Sequence, residues 1–420
     1  MDFELVNRRR FLGKSAAAGL VFAGIAPAIG KAALGASDTI RVAIVGAGAR
    51  GTVLTKECIQ FGKEYNARVV GVCDIWNRHR DQAVALLHDT YGTEPKVYRR
   101  IEDTLEDKEV DAVIIATADH QHGQMLKTAV EAGKDVYCEK PLANVLAEAN
   151  AALDAAKKTD RVVQIGTQRR SWPRYREAKR LMREGVLGDV VKVDNISNYC
   201  SPYRWARRDE DFSTIKEKDL DWPAFLLGKP YRPFDPRIFR CFRLFKDFSS
   251  GIIDQWMTHG IDAIQWLIDE PYPKSVVAQG GIYRYHDFRE NPDTTQVLLE
   301  YGEGEKRLLV NYSVSLISAH GRAVRLLGTR GTLELEFVYR LSGDGITDDD
   351  RIPEAKEIPE APNTFHHMAN WLDCIRRRDP KGAYADIDAG YAHSIACIMS
   401  NEALWNGGRL SWDPSTRSIG

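Results

Sequence analysis

The stretch Ile40-Arg-Val-Ala-Ile-Val45, followed at once by Gly46-Ala-Gly48-Ala-Arg50-Gly51, decides the fold. The first six residues are apolar apart from Arg41 and read as a short buried strand. The glycine pattern then opens a helical stretch that runs to about Tyr65. A second apolar run, Arg68–Cys73, ends in Asp74, 23 residues beyond Gly51. G-x-G-x-x-G alone is a weak signal. Between a strand and a helix, with an acid at the next strand end, it is a dinucleotide-binding fingerprint. Gly46 permits the tight turn, Gly48 lets the backbone approach a pyrophosphate, and Gly51 lets helix and strand pack closely. The helix N-terminus offers free N–H groups and a positive dipole end to the phosphates, and Arg50 is placed with the cofactor. Asp74 accepts hydrogen bonds from ribose hydroxyls and repels a 2′-phosphate, which favours NAD over NADP. Arg78 and Arg80 leave room for NADP.

Working outward, three more strand patterns alternate with helical sequence. Asp111–Ala116 leads into Thr117-Ala118-Asp119-His120-Gln121-His122. Asp135–Cys138 leads into Glu139-Lys140-Pro141, and Arg161–Ile165 opens Gly166-Thr167-Gln168-Arg169-Arg170. Such alternation predicts a doubly wound parallel sheet, an α/β Rossmann domain, with ligands beyond the C-terminal strand ends. The polar clusters fall at those ends.

These four motifs, in this order, resemble the Gfo/Idh/MocA family of oxidoreductases, over about residues 38–415. The resemblance implies that Lys140 lies beside the nicotinamide and the reacting carbinol. It places Thr117, His120, His122, Glu139 and Gln168 around the cofactor, one of the two histidines being structural.

From about Asp189 the pattern changes. Asp189–Ile196, Ser275–Gln279, Thr295–Tyr301, Arg307–Tyr312, Arg322–Leu327 and Thr332–Phe337 read as strands, several with period-two alternation. This predicts an α+β domain with an open, mainly antiparallel sheet. By the resemblance its outer face serves a homo-oligomer. Residues 199–250 form a long insertion dense in aromatics, from Tyr199 to Phe248. A loop of that length is functional or disordered, and its aromatic content argues against disorder. Aromatic faces with neighbouring Arg and Asp suit a sugar, although most of these rings are expected to staple the loop to the body.

The insertion ends in Ser249-Ser250-Gly251-Ile-Ile-Asp254-Gln-Trp-Met-Thr258-His259-Gly260-Ile261-Asp262. The family carries an Asp-x-x-x-His element here, so the resemblance makes Asp254 and His259 catalytic candidates, with His259 as acid/base. The spacing in this chain is five and not four, which leaves Asp254 in doubt. His259 and Asp262 are three apart and share a helix face. The chemistry needs no metal, and none is expected. Further on, Asn363–Arg376 and Asp388–Asn406 read as helices that return to the first domain, with His366 and His367 as cap or interface residues.

The whole chain has 420 residues, with 58 Lys+Arg against 59 Asp+Glu and 44% apolar residues. That balance excludes a basic nucleic-acid binder and a disordered chain. The charge is uneven. Residues 1–36 hold five basic and two acidic residues, so the remainder carries 53 and 57. Asn7-Arg8-Arg9-Arg10-Phe11-Leu12, an apolar run to Ile25 and Ala26-Pro27-Ala28 read as a twin-arginine export signal. An uncleaved anchor is the competing reading. With the signal removed, no stable membrane insertion is expected. Seven scattered cysteines without a C-x-x-C give neither a disulfide framework nor a zinc site.

The expected organisation is 1–36 signal, 37–160 NAD-binding domain, 161–365 substrate and oligomerisation domain, and 366–420 returning helices and tail. The expected activity is a periplasmic, NAD(P)-dependent oxidoreductase acting on a secondary carbinol of a carbohydrate or polyol, with a tightly held, recycled cofactor. A redox-neutral, NAD-dependent glycosidase and a non-catalytic sugar-binding protein are the alternatives.

Overall fold

The computed structural model describes residues 38–336, 338–345, 351–352, 356–358 and 366–420. The expected export signal lies outside the described residues. Six parallel strands form the first sheet: β1 (Ile40–Val45), β2 (Ala67–Cys73), β3 (Lys96–Tyr98), β4 (Ala112–Ile115), β5 (Asp135–Cys138) and β6 (Val163–Ile165). Their order is β3-β2-β1-β4-β5-β6, so the direction of winding reverses between β1 and β4. The register levels the strand ends. Val45 pairs with Cys73 and Ile115, Ile115 with Cys138, and Cys138 with Ile165. Gly46, Asp74, Thr117, Glu139, Lys140 and Gln168 therefore emerge along one edge, where the reversal opens a crevice.

The boundary expected at 160 needs correction, because β6 pairs with β5 and completes the first sheet. Strands β1, β4 and β5 are buried almost throughout, as a sheet covered on both faces requires. Ile40, Val42 and Ile44 pack with Leu54 of the first helix (Ala49–Tyr65) and with Trp371, Leu372 and Ile375. Those last three lie on a returning helix, His367–Arg377, and each aliphatic side chain buried there contributes about 1.5–3 kcal/mol. His367 ties this helix down through Ser171 Oγ at 2.6 Å and the carbonyl of Ile165 at 2.8 Å. His366 stands at the N-cap, its ring 4.6 Å from that of Phe61. Residues 363–365 of the expected helix lie outside the described residues.

The second sheet has ten strands in the described residues: β7 (Val190–Ile196), β8 (Ser275–Gly281), β9 (Thr294–Tyr301), β10 (Leu308–Ser315), β11 (Ala323–Gly328), β12 (Thr332–Glu334), β13 (Arg340–Ser342), β14 (Lys356–Glu357), β15 (Leu410–Asp413) and β16 (Ser418–Ile419). The order is β14-β13-β12-β11-β7-β10-β9-β8-β15-β16. It is antiparallel except for β7 against β10, which run parallel. One face packs on helices Thr258–Ile268 and Ile387–Asn406; the other leaves Val191, Val277, Leu298 and Leu309 exposed. No described helix is long and apolar enough to cross a membrane.

Residues 199–250 fold into short helical turns around a third apolar cluster. Trp222, Phe225, Phe245 and Phe248 are buried there with Trp76 from the first domain. Most of the insertion's aromatics thus build a small core of their own, and Phe225, Phe239 and Phe242 also reach the crevice.

Candidate active site

A cleft of about 630 Å³ runs along the strand ends. Gly46, Gly48, Arg50, Asp74, Thr117, His122, Glu139, Lys140, Gln168 and His259 all line it. Its far wall is the insertion.

The glycine loop is shaped by close approach. Gly46 has φ +87°, and a Cβ there would meet the Ala116 carbonyl oxygen at 2.7 Å. A Cβ on Gly51 would stand 1.9 Å from the carbonyl oxygen of Gly46. Among the described residues no side chain caps the helix that begins at Ala49, which leaves its first-turn amides for a ligand. Asp74 accepts from the amide of Ala47 at 2.7 Å and from that of Trp76 at 2.8 Å, which fixes its carboxylate beside the loop. Arg80 is turned back onto the Asp74 carbonyl and Arg78 stacks on Trp76, so neither lines the cleft. This cradle fits a dinucleotide with a free ribose 2′-hydroxyl.

Arg50 donates to Glu139 at 2.5 Å, and Gln168 approaches the same carboxylate at 3.5 Å. Thr117 donates to the sulfur of Met125. The two histidines separate in role. His122 bridges the carbonyls of Pro141 and Thr117 and touches the cleft. His120 does not line it. Its Nε2 meets the carbonyl of Phe225 at 2.8 Å, and its ring packs against Phe225 and Phe248. His120 is therefore the structural histidine, and its placement around the cofactor is corrected.

Lys140 is the centre of the polar wall. Its Nζ donates to the main-chain oxygens of Asp254 and Gln255 at 3.2 and 3.1 Å, and weakly to Gln255 Oε1 at 3.4 Å. Burial lowers its pKa, and the charges of Asp119 and Glu139 oppose the shift. His259 faces the same cleft, and its ring makes no hydrogen bond among the described residues. Burial, then the charges of Lys140 and Arg169, hold its pKa well below the usual imidazole value, so the ring is neutral at pH 7.

The five-residue spacing has a structural cause. Ile253–Met257 is a π-helical turn, which closes its hydrogen bonds five residues on and so absorbs one extra residue. Asp254 lies beneath the wall, buried, and does not line the cleft. Its Oδ2 accepts from the Ser250 amide at 2.6 Å, and Oδ1 has no partner among the described residues. Burial and the nearby Asp119 raise its pKa well above the carboxylate range, while Lys140 pulls it down. Asp254 supports Lys140 without reaching a ligand. Asp262 departs further from expectation. It is fully buried and paired with Arg170 at 2.9–3.0 Å, facing away from the cleft.

A network without a sequence signature completes the site. Asp119 accepts from Ser249 at 2.6 Å and from Gln255 at 2.5 Å, and Gln255 Oε1 accepts from Arg243 at 2.9 Å. The insertion is strapped down on the cofactor side as well. The Asp221 amide donates to the Ile75 carbonyl at 3.0 Å, its carboxylate pairs with Arg100 at 2.9 Å, and Gln121 donates to the carbonyls of Ala224 and Phe225. Among the described residues no cluster of three His, Cys, Asp or Glu is placed to hold a metal.

This geometry defines an oxidoreductase with a nicotinamide-dinucleotide site, and comparison with known proteins agrees. The oxidoreductase family described as having an NAD-binding Rossmann fold matches residues 40–167, and the Gfo/Idh/MocA C-terminal domain matches 231–334. A bifunctional inositol 2-dehydrogenase/D-chiro-inositol 3-dehydrogenase from Shouchella clausii is 32% identical over 375 residues, 87% of this chain and 92% of that enzyme. The chain belongs to the Gfo/Idh/MocA family. The scyllo-inositol 2-dehydrogenase (NAD(+)) of Bacillus subtilis is 27% identical over 311 residues, 71% of this chain and 77% of that one. The match to inositol 2-dehydrogenase 1 of Saccharopolyspora erythraea, 33% identical, covers 45% of this chain and only 55% of that enzyme. Among solved structures, the WlbA dehydrogenase of Bordetella pertussis shares the fold, with TM-score 0.65, 18% identity, and coverage of 90% of this chain and 99% of that one.

Proposed function

We propose that this protein is an exported NAD-dependent dehydrogenase that oxidises a secondary carbinol of a sugar, glycoside or polyol and keeps its cofactor bound. The reading rests on one observation: Lys140 and His259 face the cleft that also contains the glycine loop and Asp74. The names of the inositol-dehydrogenase relatives support a polyhydroxylated substrate.

When bound, the dinucleotide supplies a hydride acceptor. The chain's own residues supply the rest. The neutral imidazole of His259 takes the carbinol proton. The Lys140 ammonium donates to the same oxygen and stabilises its developing negative charge. The strapped insertion excludes water from the reacting centre.

The twin-arginine pattern at Arg8–Phe11 supports export, and free NAD is not expected to be replenished outside the cytoplasm. The exposed Val191, Val277, Leu298 and Leu309 on one face of β7–β10 support pairing with a second copy of this chain. Sedimentation of the purified protein as a monomer at micromolar concentration refutes that pairing.

The test of activity is direct. Mass spectrometry of the denatured, purified protein is expected to release NAD. Adding free polyols or sugars is expected to raise the bound-NADH absorbance. Release of nitrophenol from p-nitrophenyl glycosides without added cofactor establishes the glycosidase instead. Neither signal, with NAD bound, establishes a binding protein.

A further inference from the structure

Six arginines line the cleft: Arg50, Arg99, Arg100, Arg207, Arg240 and Arg243. Five have a carboxylate within ion-pair distance. Arg50 pairs with Glu139, Arg99 and Arg100 with Asp221, and Arg207 and Arg240 with Glu210. Arg243 alone has none among the described residues.

Arg243 also shares a hydrogen-bond partner with Lys140. Its Nε donates to Gln255 Oε1, the oxygen that Lys140 Nζ also approaches. Its position is fixed on every side. Its carbonyl accepts from Asn291 Nδ2 at 3.0 Å, and its guanidinium lies 4.4 Å from the centre of the Phe242 ring. Gln255 is held in turn by Asp119. With Nε engaged, the two terminal nitrogens form a free fork that lines the cleft beside Lys140. A half-buried guanidinium with no carboxylate within ion-pair distance among the described residues keeps charge and donors that an anionic ligand can use. The end of the fork matches a carboxylate, which it binds through two parallel hydrogen bonds.

We propose that the substrate is an acidic carbohydrate, an aldonate or uronate, whose carboxylate is held by Arg243 while Lys140 and His259 act on a nearby carbinol. The proposal rests on the dehydrogenase reading and narrows its substrate class.

The experiment uses the full-chain holoenzyme and matched probes: myo-inositol, glucose and glucose 6-phosphate against gluconate, glucuronate and galacturonate. Each is scored by kcat/KM for NAD reduction. The expected result is a preference of at least about tenfold for a carboxylated probe, as charge-assisted hydrogen bonds provide. Arg243→Gln is expected to collapse that ratio by about 10–100-fold, and Arg243→Lys, which keeps the charge and loses the fork, to retain part of it. Equal or better use of the neutral probes overturns the proposal, as does preference for the phosphate ester. It also falls if Arg243→Gln leaves the ratio intact and only weakens NAD binding measured without sugar, since Arg243 then serves the dinucleotide. If no probe of either kind changes the nicotinamide absorbance, the dehydrogenase reading itself fails.

Discussion

The ammonium of Lys140 donates to the main-chain oxygen of Asp254 at 3.2 Å, and that oxygen also accepts from Thr258 Oγ1 at 2.8 Å. The lysine is therefore held by neutral oxygens, and among the described residues no carboxylate lies within ion-pair distance of its Nζ. Neutral partners orient the group without consuming its charge, which stays available to a substrate oxygen. Lys140→Met keeps the side-chain length and removes both charge and donors. It is expected to lower kcat by about 10²–10⁴-fold while leaving the dissociation constant for NAD, measured by fluorescence, within about threefold. A tenfold loss of NAD affinity with kcat preserved makes Lys140 a cofactor residue and not a catalytic one.

His259 leads to a pH prediction with a definite sign. The neutral ring is the proton acceptor, and burial with the nearby cations depresses its pKa well below 6.5. Acid protonates the base, so kcat/KM falls with falling pH, but only below 6.5. From pH 8 to 6.5 the profile is expected to be flat on the acid side. His259→Asn is expected to remove the acid limb together with about 10²–10⁴-fold of the rate. The Lys140 charge is part of the depression, so in Lys140→Met the His259 ring, followed by NMR, is expected to titrate closer to its ordinary value. A limb centred above 6.5 in the unmodified enzyme contradicts the role.

Where the sequence was legible, the cause was local. The apolar run of β1, the glycines and Asp74 are fixed by backbone geometry within about 35 residues, and all fall where the fingerprint requires. Lys140 and His259 followed from motifs at a strand end and a helix start. Asp254 did not, because counting in turns of 3.6 residues assumes an α-helix, and Ile253–Met257 is wound as a π-turn. Asp262 misled for a related reason. Residues three apart still differ by about 60° around a helix, enough to send Asp262 to Arg170 while His259 enters the cleft. Asp119, Arg243 and Gln255 meet only because the insertion folds across the strand ends, and no periodicity in residues 199–250 announces that.

The insertion's hold on the first domain is testable at Asp221. Its carboxylate caps the helix Trp222–Leu226 through the Ala224 amide and also binds Arg100. Asp221→Asn keeps the cap and removes the charge. Arg100 is more than half exposed, so solvent screens the pair and the loss of stability is expected to be small. The larger effect is expected on a dinucleotide bound in the cleft, which the insertion helps to line. Release of NADH from the holoenzyme, followed by stopped-flow fluorescence, is expected to quicken about tenfold, the equivalent of about 1.4 kcal/mol. An unchanged release rate shows that the insertion does not retain the dinucleotide.

His120 couples the same strap to pH. Its pKa is lowered to about 3, chiefly by burial, against the hydrogen bond to the Phe225 carbonyl. In the unfolded chain the ring titrates near 6.5. Above 6.5 it is neutral in both states and adds no pH dependence. Between 6.5 and about 3 the unfolded chain takes up a proton that the folded protein refuses. Folding stability therefore falls on acidification, by about 1.4 kcal/mol per pH unit from this group. His120→Asn keeps a donor for the Phe225 carbonyl and cannot titrate. Its stability by urea unfolding is expected to be lower at pH 7, where the native contact is imperfectly replaced. The gap should narrow steadily as the pH falls from 6.5 to 4.5, because only the unmodified protein carries this penalty. Parallel stability curves for the two proteins over that range contradict a buried neutral His120. A gap that widens in acid means that the ring is protonated in the folded state.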